Sequence, residues 1–259
     1  MTRLPGCARG LVIYGMTIHR DIRKCPRWRR GALTPRGFAL DAHARAVGAP
    51  RPQAALTNDV GYSAIAAPRS WRGIRMPFRF EALPLEGILL IQPSVFEDER
   101  GFFMESYQAR DFARAGVPAA FVQDNHSRSR QGTLRGLHYQ IRQAQGKLVR
   151  VTSGEIFDVA VDLRKSSPTL GLWLGTVLSA QTRKQLWIPA GFAHGFYALS
   201  DWAEVLYKST DFYAHQSERT LRWDDPTVAI EWPLIGGRRP ILSDKDAAGS
   251  PFAQAELFA

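Results

Sequence analysis

The chain has 259 residues, of which 45% are hydrophobic and 22% are charged, and its formal net charge is +10. This composition can supply a buried core, and it excludes a wholly disordered or fibrous protein. Apolar runs stay well short of the roughly 18 residues that a membrane-spanning helix needs, so the sequence predicts none.

The positive charge is concentrated in residues 1–75, which hold 14 Lys or Arg against three acidic residues. Residues 76–259 hold 20 basic and 21 acidic residues, so the charge argues only weakly for nucleic acid as a partner of the whole protein. Residues 1–75 lack a sustained hydrophobic period, which predicts a mostly disordered basic extension. Its alternative readings are a targeting peptide, a nucleic-acid-binding arm, or a leader that precedes a true start at Met76.

Both cysteines, Cys7 and Cys25, lie in this extension. Residues 76–259 therefore cannot rely on a disulfide, which fits the reducing cytoplasm that we predict as the compartment. The apolar residues 11–18 are followed by charged residues without a small-residue cleavage site, which disfavours a secretion signal.

From residue 88 onward the pattern is mostly that of short strands separated by turn residues. Alternation at residues 157–163 predicts a half-buried strand, and Ser153, Gly154 and Glu155 suggest a hairpin between residues 148–152 and 156–163. One short helix is predicted at residues 108–115, ended by Gly116 and Pro118. The spacing predicts an all-β barrel or sandwich.

The histidines outside the extension do not form a closed metal site in sequence. Residues 189–194 (PAGFAH) resemble the second half of a cupin metal motif, but paired histidines and a glutamate are missing around His138. The half-motif points to a cupin-like jelly roll, and we predict that the protein binds no metal.

Three side chains of the β region are candidates for acid–base chemistry. Histidine is the side chain best suited to general-base chemistry at physiological pH, which makes His138 a candidate, although a lone strand histidine is more often a packed residue. Lys147 could stabilise an oxyanion or simply end a strand, and Tyr207 could donate a proton or belong to the core. Four basic residues that are scattered along the sequence could together bind a phosphate group: Arg100, Arg135, Lys147 and Lys245.

Residues 76–259 resemble the dTDP-4-dehydrorhamnose 3,5-epimerase family over nearly their whole length. The matching strings are FEDERGFFMES at 96–106, FVQDNHS at 121–127, LRGLHYQ at 134–140, QGKLVR at 145–150, FDVAVD at 157–162, QLWIP at 185–189, GFAHGF at 191–196, LYK at 206–208 and SDKD at 243–246. Residues 1–75 have no counterpart in that pattern. The resemblance implies two domains of the sequence, an extension at 1–75 and an epimerase jelly roll at 76–259.

The implied reaction is epimerisation at C3 and C5 of dTDP-4-dehydro-6-deoxy-D-glucose, giving dTDP-4-dehydro-L-rhamnose for dTDP-L-rhamnose biosynthesis. The C4 ketone acidifies the protons on both carbons, so an enzyme needs a base, an opposing acid and a donor near O4. The resemblance implies neither a redox cofactor nor a metal.

The resemblance also implies catalytic roles. His138 is expected to abstract the proton, and Asp246 to bond to its imidazole, as the acid does in other His–Asp pairs. Three other aspartates are nearby candidates in the sequence: Asp244, Asp224 and Asp225. Asp246 is preferred to them because it ends the SDKD match. Tyr207 is expected to donate the proton on the opposite face, Lys147 to steady the oxyanion, and His194 to lie near the sugar ring.

The remaining expectations concern substrate binding and assembly. Diphosphate contacts are expected from Arg100, Arg135 and Lys245; nucleotide contacts from Gln123, Asp124 and Asn125; stacking on thymine from Tyr213; and further contacts from Glu105 and Glu218. The resemblance implies a homodimer with N-terminal strand exchange, in which Arg100 and Glu105 serve the neighbouring subunit's site.

Three other functions remain open from the sequence. The first is a single-centre epimerase or ketoisomerase of a dTDP-4-keto sugar in the same fold, against which Tyr207 argues. The second is a nucleic-acid-binding protein that uses residues 1–75 as a basic arm. The third is a non-catalytic sugar-nucleotide binding module.

Overall fold

The computed structural model describes residues 10–14, 17–19, 77–117 and 120–259. Almost all of their regular structure is β-strand. The strands are β1 (Gly10–Tyr14), β2 (Thr17–His19), β3 (Phe78–Ala82), β4 (Leu89–Pro93), β5 (Val95–Asp98), β6 (Gly101–Met104), β7 (Gln123–Arg130), β8 (Leu134–Gln140), β9 (Lys147–Ser153), β10 (Glu155–Asp162), β11 (Trp173–Ser179), β12 (Gln185–Ile188), β13 (Phe192–Ala198), β14 (Trp202–Ser209) and β15 (Glu218–Thr220). Two short α-helices, α1 (Ala109–Arg114) and α2 (Asp244–Ala247), accompany them.

The strands form two large sheets and one separate hairpin. The seven-stranded sheet has the order β15-β8-β13-β10-β11-β1-β2, and the six-stranded sheet has the order β3-β4-β12-β9-β14-β7. β5 and β6 pair only with each other. Two sheets, antiparallel except where β1 joins β11, pack face to face with short helices beside them, which confirms the predicted all-β, cupin-like jelly roll.

Three apolar clusters hold these layers together. The first lies between the sheets and joins side chains such as Val149, Ala160 and Val205. The second covers the outer face of the seven-stranded sheet with the segment after residue 220. In the third, Phe112 of α1 packs on the outer face of the six-stranded sheet against Trp187. Both sheets are thus buried on two faces over part of their area.

The short helix predicted at residues 108–115 is confirmed as α1. The Gln108 side chain accepts a hydrogen bond from the backbone N–H of Asp111, which caps the first turn. The chain leaves the helix at Gly116, whose φ is +84°. Pro118, the second predicted stop signal, lies outside the described residues.

The predicted hairpin between β9 and β10 is wrong. β9 pairs with β12 and β14, whereas β10 pairs with β11 and β13. The turn at Gly154 therefore carries the chain from one sheet to the other. A short turn between two strands signals a reversal, but it does not determine whether they pair or face each other across the core.

The half-buried assignment of β10 is also wrong. Every residue from Ile156 to Asp162 is buried. The face predicted to be solvated lies toward the apolar cluster between the sheets, and the segment after residue 220 covers the opposite face. Asp158 and Asp162 are both 0% exposed. Their carboxylates are accommodated by hydrogen bonds, from His194 to Asp158 and from Arg164, Ser167 and Thr169 to Asp162.

Part of the basic extension is described, and that part is ordered. β1 adds to β11 in parallel and pairs with β2, so it extends the edge of the seven-stranded sheet. The prediction of a mostly disordered extension did not anticipate these strands. The rest of residues 1–75 lies outside the described residues. Within the described ranges, none of the helices has the length and apolar character to cross a membrane.

Gly136 and Gly195 allow β8 and β13 to approach closely at an irregularity in their register. A Cβ on Gly136 would lie 2.5 Å from the Cα of Gly195 and 2.8 Å from the carbonyl oxygen of His194. These contacts leave no room for a methyl group. His138 and His194 are direct partners on these strands, so the close approach also sets their spacing.

Gly136→Ala is expected to lower the free energy of unfolding by about 1–3 kcal/mol through this clash, measured by urea denaturation. Gly101→Ala is the matched control, because its φ of +123° is close to the +125° of Gly136 while no atom lies within 4 Å of the added Cβ. Equal losses of stability in the two variants would contradict the steric explanation.

Candidate active site

A cavity of about 420 Å³ opens between the two sheets, where the apolar core gives way to polar side chains. Both sheets, together with α2 and the loop before β15, contribute to its wall. The residues are Gln123, Asn125, Ser127, Arg135, His138, Tyr139, Gln140, Gln145, Lys147, His194, Gly195, Phe196, Tyr207, Tyr213, Glu218 and Lys245. A concave site with convergent polar groups is the usual form of a small-molecule site.

His138 lies on the wall formed by the seven-stranded sheet and is joined to Asp246. Its Nε2 is 2.5 Å from the Oδ1 of Asp246, which leaves Nδ1 as its second ring nitrogen. Asp246 is buried on α2, where the Ser243 hydroxyl donates to its other oxygen at 2.8 Å. Burial alone would raise the pKa of Asp246, but the contact with His138 and the Ser243 hydroxyl hold that pKa below its ordinary value.

The local sequence explains this placement. Ser243 caps α2 by accepting from the backbone N–H of Asp246, so the cap fixes the first turn that carries the carboxylate. Of the alternative carboxylates, Asp224 pairs with Arg222, and Asp225 accepts from backbone N–H groups at residues 227, 228 and 252.

Tyr207 and Lys147 lie on the opposite wall, formed by the six-stranded sheet. Burial raises the pKa of the Tyr207 phenol, with Glu218 adding to the shift and Arg135 opposing it. The phenol therefore keeps its proton at neutral pH. Lys147 is only 8% exposed, and burial lowers its pKa to about 8, against the opposing charge of Glu218. It still carries its charge in most molecules at pH 7.

Glu218 organises the polar rim of the cavity. It accepts from the Tyr213 hydroxyl at 2.9 Å and from Lys245 Nζ at 2.8 Å. Burial would raise the pKa of Glu218, but these hydrogen bonds hold it below its ordinary value. The Tyr213 ring is 52% exposed, and its backbone N–H donates to Gln123. Gln123 in turn donates to the Asn125 side chain at 2.9 Å.

Arg135 is held toward the cavity by the neighbouring sheet. Its Nε donates to the Ser129 hydroxyl at 2.9 Å. Ser129 and Ser127 lie on the inner face of β7, where side chains alternate between the cavity and the outside. The Ser127 hydroxyl is buried without a hydrogen-bond partner among the described residues. Such a group is costly unless a ligand satisfies it.

Three predicted site residues are not brought to this cavity. Asp124 points to the outer face of β7 and pairs with Lys208 at 2.9 Å, because neighbouring residues of a strand face opposite sides. Arg100 is exposed between β5 and β6 and pairs with Asp98. Glu105 follows β6 and is also exposed. The other predicted residues line the cavity or, as with Asp246, contact a residue that does.

Ser127 and Asp158 are among the contributors to the site that sequence reasoning missed. Asp158 binds His194 Nε2 through both oxygens, at 3.0 and 2.9 Å. The sequence could have identified Asp158, because an acidic residue on the inner face of an otherwise apolar strand needs a buried partner. Among the described residues, no group of three His, Cys, Asp or Glu side chains is arranged to hold a metal ion.

The solved structures to which this chain is similar include epimerases that act on dTDP-linked sugars. An epimerase from Legionella pneumophila, in complex with dTDP-4-keto-L-rhamnose, is 49% identical, with a TM-score of 0.67 over 69% of this chain and 95% of its own. A 3′-monoepimerase from Streptomyces bikiniensis, in complex with dTDP-quinovose, is 32% identical, with a TM-score of 0.62 over 66% of this chain and 86% of its own. The fold and the cavity thus define an epimerase of the isomerase class.

Sequence comparison narrows this class to one family. The family model described as dTDP-4-dehydrorhamnose 3,5-epimerase matches residues 82–254. The enzyme of that name from Pseudomonas aeruginosa is 60% identical over 177 residues, which are 68% of this chain and 97% of the relative. The chain belongs to the dTDP-4-dehydrorhamnose 3,5-epimerase family, and the predicted membership is confirmed.

Lys147→Met is expected to stabilise the fold, because a buried ammonium is costly. With its folded pKa lowered from 10.5 to about 8, the lysine costs about 3 kcal/mol at pH 7. That cost is fully present below pH 8 and is relieved as the pH rises toward 10.5. The stability gain of the variant in urea denaturation should therefore be larger at pH 7 than at pH 9.5.

Lys165→Met provides the control. Lys165 is exposed, so its removal takes away a positive charge but relieves no burial cost. A gain from Lys147→Met that is the same at both pH values would contradict burial as its cause.

Proposed function

We propose that the cavity catalyses epimerisation at C3 and C5 of dTDP-4-dehydro-6-deoxy-D-glucose, giving dTDP-4-dehydro-L-rhamnose for dTDP-L-rhamnose biosynthesis. The observation that carries the proposal is that His138 and Tyr207 line one cavity from opposite sheets. Inversion of a carbon requires that the proton leave one face and return on the other. A base and an acid on facing walls meet that requirement.

The proposed base is His138, acting through Nδ1 on a proton next to the C4 ketone. Its Nε2 is engaged with Asp246, so the imidazole keeps one orientation and the carboxylate stabilises the cation formed by proton abstraction. The Lys147 ammonium is proposed to stabilise the enolate oxygen, since a buried charge acts more strongly there than in water. Tyr207 is proposed to return a proton, which its raised pKa keeps available.

The rest of the wall is proposed to hold the nucleotide. Arg135 and Lys245 suit the diphosphate, where charge-assisted hydrogen bonds are strong. The exposed Tyr213 ring suits stacking on thymine, which is typically worth about 1–3 kcal/mol per base. Further contacts are proposed from Gln123, Asn125, Glu218 and His194, and from the hydroxyl of Ser127.

A single-centre epimerase is the second candidate, and the resemblance to the Streptomyces bikiniensis 3′-monoepimerase favours considering it. The fold accommodates that activity. Tyr207 favours the two-centre reaction, because an acid opposite the base serves inversion at C5.

Proton NMR in heavy water distinguishes these reactions. The wild-type enzyme should introduce solvent deuterium at both C3 and C5 of the keto-sugar. Asp246→Asn should slow both exchanges by about 10²- to 10⁴-fold, because the imidazole loses the carboxylate that orients it and supports its charge.

Asp244→Asn is the matched control, since this exposed carboxylate on the same helix turn does not bond to His138. Deuterium at one carbon only would establish the single-centre alternative. Unchanged exchange in Asp246→Asn would refute the assigned base.

We further propose a homodimer in which Arg100 and Glu105 complete the partner's site by N-terminal strand exchange. The hairpin of β5 and β6 exposes three phenylalanines, Phe96, Phe102 and Phe103, at 50%, 57% and 67%. Arg183 holds the pair next to its turn, through Glu97 at 2.7 Å and through the Phe102 ring. An anchored apolar arm with a cation at its tip is suited to a protein partner.

Co-expression of Arg100→Ala with His138→Ala tests this arrangement. If Arg100 acts on the partner's site, mixed dimers contain one intact site, and random pairing should restore about a quarter of the wild-type rate. Each variant alone should remain impaired. A mixture no more active than its components would show that Arg100 does not act across the dimer.

Residues 76–259 are proposed to be the catalytic domain and residues 1–75 an extension with a separate role. The family match at 82–254 and the site residues, all of which follow residue 99, support this division. We also propose the cytoplasm as the compartment, since residues 76–259 contain no cysteine and do not depend on oxidising conditions.

A further inference from the structure

The segment that carries Tyr213 lies at the rim of the cavity and belongs to neither sheet. Residues 210–214 join β14 to a 3₁₀ turn at His215–Ser217, and the side chains of Phe212 and Tyr213 are exposed. Within the described ranges, the backbone groups of these two residues bond to side chains and not to other backbone groups. The position of the Tyr213 ring therefore depends on those side chains.

Gln140 holds this segment from the last position of β8. Its Oε1 accepts from the backbone N–H of Ala214 at 2.9 Å, and its Nε2 donates to the carbonyl of Phe212 at 3.2 Å. The two residues flank Tyr213, so one carboxamide fixes the chain before and after the ring. The same Nε2 also donates to the carbonyl of Gln143 at 2.8 Å.

The donors of Gln140 are used within the protein, although its side chain lines the cavity. The residue is only 4% exposed. An amide NH₂ group has two hydrogens, and the carbonyls of Phe212 and Gln143 accept both. The phosphate groups of a nucleotide offer only acceptor oxygens, so Gln140 has no hydrogen left for them. Its effect on a nucleotide therefore passes through the segment that it holds.

Two other glutamines hold the segment at single points. Gln123 accepts from the backbone N–H of Tyr213 at 2.9 Å, and Gln145 donates to the carbonyl of Asp211 at 2.8 Å. Gln140 is the buried member of the three, whereas the other two are half-buried. Hydrogen bonds away from water are stronger, so Gln140 contributes most to the placement of the ring.

We propose that Gln140 is a positioning residue that fixes the Tyr213 ring as a stacking surface for the thymine base of the nucleotide. This inference rests on the proposed function, which assigns the base to Tyr213. A ring on an unanchored segment would lose conformational freedom each time a base stacked on it, and that loss weakens binding. Gln140 restricts the segment before the nucleotide arrives.

Calorimetry of dTDP binding to Gln140→Met tests the proposal. Methionine is similar in size but cannot bond to the carbonyl of Phe212 or to the N–H of Ala214. The affinity for dTDP should fall about 3- to 10-fold. In a Tyr213→Ala background, the same substitution should change dTDP affinity by less than about twofold, because the ring that Gln140 positions is absent.

Gln131→Met is the matched control. Gln131 also holds a loop through a backbone carbonyl, that of Leu199 at 2.8 Å, but it does not line the cavity. This variant should bind dTDP as the wild type does. Gln140→Asn keeps an amide that is too short to reach both sides of Tyr213, and it should repeat the result of Gln140→Met if the methionine variant does not fold.

NMR of protein labelled with ¹³C-tyrosine reports the ring directly and without turnover. The Tyr213 ring signal, assigned by its loss in Tyr213→Ala, should shift or broaden in Gln140→Met and stay unchanged in Gln131→Met. A structural effect spread over the whole fold would instead move several tyrosine signals.

Wild-type dTDP affinity in the Gln140 variants, or in Tyr213→Ala, would overturn the proposal. An equal loss of affinity with and without the Tyr213 ring would overturn it as well, because Gln140 would then act by another route. Failure of the proposed function would be seen separately, as a wild-type enzyme that introduces no deuterium into the keto-sugar while dTDP affinity still depends on Gln140 through Tyr213.

Discussion

The contact between His138 and Asp246 is the constraint around which the site is arranged. It joins a strand of the jelly roll to a helix turn more than a hundred residues later, and it requires the segment after residue 220 to pack over the outer face of the seven-stranded sheet. That packing buries the outer face of β10, whose inner face lies between the sheets, and it delivers α2, with Asp246 and Lys245, to the cavity. The outer apolar layer is therefore part of the catalytic architecture.

Facing sheets give the enzyme two walls of different chemical character. One wall carries the two imidazoles and the other carries the phenol and the ammonium. Placing such groups between sheets replaces apolar core with side chains that are costly to bury, and Lys147 and Asp158 show this cost most directly. The neighbouring cluster of Val149, Ala160 and Val205 compensates with ordinary hydrophobic packing.

Much of the fold could be predicted because most strands carry apolar residues at recognisable spacing. β7 could not, since its inner face, with Gln123, Asn125 and Ser127, is polar where it lines the cavity. The pairing of β9 and β10 was mistaken because a short turn does not report which sheet receives the next strand. The outward direction of Asp124 follows from strand alternation once β7 is recognised, but no sequence signal located β7 itself.

The site was predictable mainly through its resemblance to a family rather than through local pattern. By pattern alone His138 was an ordinary strand histidine, and its carboxylate partner lay too far along the chain to be identified. The roles assigned to the site residues stay predictions, although the cavity gathers most of them. Asp158 escaped notice because its alternation with Phe157 and Val159 looked like that of a solvated face.

The long separation between His138 and Asp246 has a consequence for how activity appears during refolding. Contacts between residues 108 positions apart close a large loop, whose entropic cost must be met before the contact forms. A chain whose sheets have associated, but whose final segment has not yet docked, lacks the carboxylate beside its imidazole. Recovery of turnover after dilution from denaturant therefore requires the docking of α2 in addition to the association of the sheets.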